Sequence, residues 1–496
     1  FAYFNKRIVS HRKIIHLVRD LLFHLQCYNG GKETGHGGIC MDYSFEKVFR
    51  GTAFTSRLPQ EVRALEDCLF CLDAEGLIRR ILHPQDLEYA KVLAAYSGRD
   101  SFRELSDGQY FLPGFIDLHI HAPQWAQAGT AMDIPLHDWL DTYTFPLESK
   151  FSDLDFARKV YQDLVTTLLA NGTTTALYFA TIHKEASFLL VQICADKGQR
   201  GLVGKVVMDD KEENPEYYRD ESTEAALADT ESFIQQVLEL NKTTKQGVYP
   251  VVTPRFIPSC TDEALAGLGE LAKKYDTHIQ SHCSESDWEH HFVHERMHKS
   301  DAYALHEMGL LQDKAVMAHA VFLSDEDAGL FAETGTAIAH CPISNVFFSN
   351  GVLPAARFTQ KGIDIGLGTD ISGGFSPSLY DNIRQAVIAA RMLEEGVDSA
   401  LPAAERGLPK SRISANEAFY YATAGGGQSL SLPIGRLEEN YIWDVQVIDV
   451  NTPNAKLPIF DAEISMEDLL HKILFLSRPE NIREVWVQGE CVHKRT

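Results

Sequence analysis

Between Gly114 and Asp370, eight short apolar stretches recur, and stretches with helical periodicity separate most of them. The eight are Gly114–His121, Thr173–Ala180, Gly201–Asp209, Val248–Phe256, Thr277–Glu285, Ala315–Phe322, Thr336–Pro342 and Asp364–Asp370. Phe156–Ala170, Thr223–Leu240, Ser259–Lys274 and Ser324–Glu333 carry the helical pattern. Strands that alternate with helices predict a parallel sheet, and eight such units predict a closed (β/α)8 barrel of the TIM type. Short β-like runs from Phe49 to about Leu105 precede it, and Gly435–Val450 and Val485–Val492 return to β alternation after it. Two β-rich ends flanking a barrel can pair into a small β-sandwich. The expected division is therefore a basic extension over 1–40, the N-terminal part of the sandwich over 41–112, the barrel over 113–430, and the C-terminal part of the sandwich over 431–496.

Composition narrows the classes of function. Lys and Arg number 46 against 69 Asp and Glu, a net charge of −23. Binding nucleic acid needs clustered cations, so this balance argues against such a partner and leaves room only for a local basic site. No stretch approaches the ~18 consecutive apolar residues of a membrane helix, so a soluble chain without membrane contact is expected. Nine cysteines, an odd number without framework spacing, predict reduced thiols and a cytosolic location. The first forty residues stand apart: Lys6, Arg7, Arg12, Lys13, Arg19 and Lys32 face only Asp20 and Glu33. This basic, amphipathic start is compatible with an organelle-targeting peptide but poor in serine, so it reads rather as a translated upstream region or an incomplete gene model.

The strongest local motif is Pro113-Gly114-Phe115-Ile116-Asp117-Leu118-His119-Ile120-His121. Alternate residues of a strand share a side, so His119 and His121 can face one barrel interior and bind one metal. Two histidines on one strand are also common surface residues, and the motif alone leaves both readings open. Further strand ends add Ser281-His282-Cys283-Ser284-Glu285, Ala318-His319-Ala320, Ala339-His340-Cys341-Pro342 and Gly366-Leu367-Gly368-Thr369-Asp370. Barrel chemistry sits at the C-terminal ends of strands, where these residues fall. A buried Asp beside a cluster of histidines has a metal as its natural partner.

Together these strand ends resemble the amidohydrolase superfamily. Over nearly all of residues 46–496 the chain is similar to the guanine deaminase family within it. The stretches that carry this are His121-Ala122-Pro123-Gln124, Tyr143-Thr144-Phe145-Pro146, Asn171-Gly172-Thr173-Thr174-Thr175, Tyr178-Phe179-Ala180-Thr181-Ile182-His183, Gly198-Gln199-Arg200, Pro215-Glu216-Tyr217 and Val252-Thr253-Pro254-Arg255-Phe256. The resemblance implies a metal-dependent barrel that deaminates guanine hydrolytically to xanthine and ammonia. It implies one zinc ion per chain, with His119, His121, His282 and Asp370 as ligands. Glu285, His319 and Asp370 are the implied catalytic residues: Glu285 moves protons to the ring and to departing ammonia, His319 orients the water, and Asp370 takes its proton. Guanine is implied to lie against His121, Ala122, Pro123, Gln124, Arg255, Phe256, His282, Glu285 and Asp370. Arg255 suits the adjacent carbonyl and ring-nitrogen acceptors, Gln124 the ring amide edge, and Phe256 a purine face. A homodimer in the cytosol follows by the same resemblance.

Other readings remain to be separated. Arg255 at a strand end is also compatible with a structural ion pair. An amidohydrolase for a pyrimidine, adenosine-like or triazine substrate would differ at Arg255 and Gln124, and a non-enzymatic scaffold would lack ligands that this chain retains. His294-Glu295-Arg296-Met297-His298 matches a zinc-protease pattern, but it lies in a polar stretch crowded with other histidines. Cys68-x-x-Cys71 lacks a second half, and Lys205 reads as structural. Gly425-Gly426-Gly427 opens no phosphate loop and is expected to ease close packing. In Gly435-Arg436-Leu437-Glu438-Glu439-Asn440, Asn440 is expected to tolerate a left-handed backbone.

Overall fold

The structure is a computed structural model that describes residues 44–495 except Ala462, so the basic extension over 1–40 lies outside the described residues. Eight parallel strands form one sheet in sequence order: β1 (Phe115–His121), β2 (Thr173–Phe179), β3 (Arg200–Val207), β4 (Val248–Pro254), β5 (His278–Cys283), β6 (Ala315–His319), β7 (Ala337–His340) and β8 (Ile365–Leu367). The ring closes just past β8, where Asp370 N donates to His119 O (2.8 Å) and His121 N donates to Ile371 O (2.9 Å). This is the (β/α)8 barrel that the alternation predicts.

Every residue of β1, β2 and β3 is buried, because helices cover one face and the barrel interior the other. The helix Leu154–Ala170 shows how the covering is built. Asp153 caps it by accepting from Asp155 N (2.9 Å) and Phe156 N (3.3 Å), and the buried Tyr161, Leu164, Val165 and Leu168 recur at helical spacing. Burying each such side chain stabilises by ~1.5–3 kcal/mol. The glycine run near residue 426 permits close packing, since a Cβ on Gly426 would stand 2.8 Å from Ile116 Cβ on β1.

The two ends of the chain join in a second, mixed sheet. Its order runs Glu490–Lys494, Ile482–Val487, Val445–Asp449, Gln109–Pro113, Lys47–Thr55, Arg63–Leu72 and Ile78–Leu82, with Phe102–Glu104 also paired to Lys47–Thr55. Trp443 centres an aromatic cluster, with ring centroids 4.7 Å from Phe49, 5.0 Å from Phe70 and 5.1 Å from Phe111. Gln488 (φ +53°) and Gly489 (φ +75°) make a tight left-handed turn between the last two strands, and Asn440 adopts φ +70° as expected. Gln109–Pro113 runs almost directly into β1, so this sheet anchors the strand that carries His119 and His121. Among the described residues, no helix is long and apolar enough to cross a membrane.

Candidate metal and purine site

β1 ends in His119 and His121, both buried and on one side of the strand. His282 stands on β5, and Asp370 follows β8 in a left-handed conformation (φ +50°). The ring nitrogens of His119, His121 and His282 that could hold a metal all lie within 4.8 Å of one another. His121 Nε2 is 3.0 Å from His282 Nε2, while Asp370 Oδ1 is 3.2 Å from His119 Nε2 and 3.6 Å from His121 Nε2. Ligand atoms about 2.0–2.1 Å from a tetrahedral ion stand roughly 3.3 Å apart, so these separations fit one shared cation. Burial holds all three imidazoles well below their ordinary pKa, which keeps them neutral with a lone pair to give. His119 Nε2 is buried without a hydrogen-bond partner, a cost that a cation would remove.

Neighbouring groups fix the orientation of this cluster. His282 Nδ1 donates to the backbone carbonyl of Arg255 (2.6 Å), which leaves Nε2 to face the cluster. Asp117, fully buried, accepts from His119 N (3.2 Å), Thr369 N (2.9 Å) and Thr369 Oγ1 (2.5 Å), tying β1 to the segment that carries Asp370. Burial pushes the Asp117 carboxyl up to about 7.

His319 and Glu285 flank the cluster. His319, at the end of β6 with φ +68°, donates from Nδ1 to Asn345 Oδ1 (2.8 Å). Its Nε2 lies 3.6 Å from Glu285 Oε1, and that oxygen accepts from Asn350 Nδ2 (3.3 Å). Burial, then the Asp370 charge, pushes the Glu285 carboxyl up to about 8. Such a group holds its proton at neutral pH and can pass it on.

Part of this cluster, with Glu285, opens into one cleft. His121, Gln124, Arg255, Phe256, His282, Glu285 and Asp370 line it, with Leu136, Trp139 and Phe348 among its apolar walls. Ala122 and Pro123 begin the short turn Ala122–Gln127 that places Gln124 beside the cluster, and both are buried. Phe256 is extended and half-buried just past β4, its ring 6.2 Å from that of His282. Arg255 is buried and forks onto Glu148, with Nη1 to Oε2 at 2.7 Å and Nη2 to Oε1 at 3.3 Å. It is thus both an ion pair and a wall of the cleft.

The other candidates go elsewhere. His340 ends β7 buried, but among the described residues it belongs to no converging group of metal-ligand atoms, and burial drives its imidazole down to about 3. His294 lies in the helix Asp287–Met297, whereas His298 is the residue past its end at φ +56°, so the two do not share a helical face. Cys68 and Cys71 lie buried and unpaired in Arg63–Leu72, their thiols pushed up to about 12 by burial. Lys205 is fully buried and ion-paired with Asp220. Glu148, Asn345 and Asn350 were not singled out from the sequence. Only Glu148 left a trace there, two residues after Tyr143-Thr144-Phe145-Pro146.

Comparison with known proteins gives a consistent result. Residues 110–492 match the Amidohydrolase family. Guanine deaminase of Dictyostelium discoideum is 37% identical over 457 residues, which cover 90% of this chain and 98% of that protein. Guanine deaminase of Homo sapiens is 37% identical over 453 residues, 90% of this chain and 96% of that protein. A solved guanine deaminase from C. acetobutylicum with guanine bound in its active site superposes with a TM-score of 0.79 at 30% identity, covering 90% of this chain and all of that one.

Proposed function

The chain belongs to the Amidohydrolase family, and from that premise we propose that it hydrolyses guanine to xanthine and ammonia. One observation carries the reading: His121, His282 and Asp370 of the His₃–Asp cluster line the same cleft as Glu285, Arg255 and Gln124. In this reading His119, His121, His282 and Asp370 hold a single zinc ion, which their nitrogen-rich donor set and spacing suit. When bound, zinc supplies the Lewis acidity that makes water a nucleophile near neutral pH.

The protein's own groups do the rest. Water adds through oxygen to the ring carbon bearing the amino group, and the bond from that carbon to the amino nitrogen breaks. Asp370 takes a proton from the attacking water. His319, held by Asn345 through Nδ1–H, turns its Nε2 lone pair toward the water and orients it by accepting a hydrogen bond from it. Glu285 carries protons to the ring and then to the leaving nitrogen. Arg255 donates to the carbonyl and ring-nitrogen acceptors, Gln124 meets the amide edge, and Phe256 covers a ring face. His121, Ala122, Pro123 and His282 complete the walls around the purine.

We extend the reading to a homodimer in the cytosol, as the resemblance implies. The test is to incubate zinc-replete protein with guanine and follow xanthine and ammonia, beside a panel of adenine, pyrimidines and triazines. The reading expects guanine to be strongly preferred. A preference for a pyrimidine or triazine would reject it.

A further inference from the structure

Glu148, at the end of the short helix Phe145–Glu148, is fully buried behind the cleft-lining Gln124 and Arg255. Its Oε1 accepts from Gln124 Nε2 (2.9 Å) and Arg255 Nη2 (3.3 Å), and its Oε2 from Arg255 Nη1 (2.7 Å) and Tyr218 OH (2.7 Å). A carboxylate offers about four acceptor positions, so this one is saturated. Phe145, from the same helix, places its ring 5.0 Å from the Arg255 guanidinium. At its other end Gln124 Oε1 accepts from Ser372 N (3.2 Å). The sense of the Gln124 amide is therefore dictated: its donor end meets a group that only accepts, and its acceptor end meets a backbone N–H.

We infer that Glu148 is the positioning residue that sets the preference for an oxopurine over an aminopurine. The inference rests on reading Arg255 and Gln124 as the purine contacts. Glu148 takes one N–H from each Nη of Arg255, and Met208 Sδ takes the second from Nη1 (3.6 Å), which leaves Nε–H and the outer N–H of Nη2 for a carbonyl and its neighbouring ring nitrogen. By fixing Gln124, it leaves one N–H and one lone pair for an amide edge. An aminopurine that presents a donor where guanine has its carbonyl meets donors with a donor. The Gln124 amide cannot flip to relieve the clash, because its NH₂ is held by Glu148 and its oxygen by Ser372.

Glu148→Gln breaks this arrangement, since one end of the new amide must point a donor at Arg255 or Gln124. The test is a cycle of wild type, Glu148→Gln, Arg255→Ala and the double variant, each checked for zinc content and thermal unfolding. Glu148→Gln is expected to lower kcat/KM for guanine at least ~10-fold, chiefly through KM, with zinc retained. The double variant should fall no more than ~3-fold below Arg255→Ala, because the two residues act as a unit. The inhibition constant of adenine against guanine should not rise with the KM for guanine, whereas a purely structural defect weakens both in proportion. Glu148→Asp keeps an acceptor-only group and should recover part of the efficiency, and it carries the same cycle if Glu148→Gln does not fold. Near-wild-type guanine KM in both Glu148 variants, additive losses in the double variant, or proportional weakening of guanine and adenine would each overturn the inference. Wild-type protein that leaves guanine untouched rejects the functional reading itself, and this inference with it.

Discussion

Glu285 and Arg255 illustrate two kinds of dependence at the scale of single residues. Glu285 lies 3.6 Å from His319 and converges with it on His282, yet the proposed zinc ligands are His119, His121, His282 and Asp370. Glu285→Gln keeps its size and hydrogen bonding while removing proton transfer, so kcat should fall ~10²–10⁴-fold with zinc still bound. Wild-type turnover, or loss of the metal in this variant, would show that the role is misassigned. Arg255→Ala should lower kcat/KM for guanine at least ~10-fold, and Arg255→Lys should rescue it only partly, because an ammonium lacks the planar fork. The ion pair with Glu148 adds a second expectation. Removing Arg255 leaves a buried carboxylate without its counter-charge, so Arg255→Ala should also unfold at a lower temperature. The sequence made His119, His121, His282, His319 and Asp370 legible because each lies at or just past the end of an apolar strand. Glu148, Asn345 and Asn350 were not legible, because their partners come from chain 107, 26 and 65 residues away.

At the scale of elements, all eight barrel strands fall within or beside the stretches expected from hydrophobic runs, yet most of the runs extend beyond the paired strand. The excess has a physical cause: Ser284 (φ +49°), His319 (φ +68°) and Asp370 (φ +50°) turn the chain out of extended geometry where side chains must converge. Among the helices that the sequence pattern does not name, Tyr89–Tyr96 and Met466–Leu476 are short and sit within or between β-rich stretches. Gly368 tests the closeness of β8 to β1. A Cβ there would stand 2.8 Å from His119 Cβ and 3.1 Å from His119 N, so Gly368→Ala must displace the backbone that carries His119, a proposed zinc ligand. We expect a loss of ~1–3 kcal/mol in stability from overpacking. Chelator competition should show weaker zinc binding as well. Gly329, in the helix Asp325–Thr334, has nothing within 4 Å of its Cβ position. Gly329→Ala should be neutral or stabilising by up to ~1 kcal/mol, and equal effects at the two glycines would contradict the packing argument.

At the scale of the whole molecule, the terminal sheet and the barrel are joined by a buried polar joint. Arg200, on β3, is ion-paired with Asp444 and also donates to Gln246 O (2.8 Å) and Gln488 Oε1 (2.7 Å). Asp444 in turn accepts from Gln488 N (2.8 Å). Asp444→Asn leaves the Arg200 charge buried and underpaired, which should cost ~3 kcal/mol or more and lower Tm by several degrees. The cleft at the strand ends shares none of these contacts, so kcat/KM for guanine should stay within ~2-fold of wild type at 25 °C. The pairing of the two chain ends was legible from their β alternation, whereas this joint was not, since nothing in the sequence links Arg200 to Asp444. The central claim is that one zinc held by His119, His121, His282 and Asp370 supports guanine hydrolysis, and a metal titration tests it most directly. Chelated protein should be inactive, and guanine turnover should rise linearly with added zinc to a plateau at one equivalent per chain, with one xanthine and one ammonia formed per guanine. A plateau at two equivalents, or folded, zinc-loaded protein that leaves guanine unchanged, would contradict it.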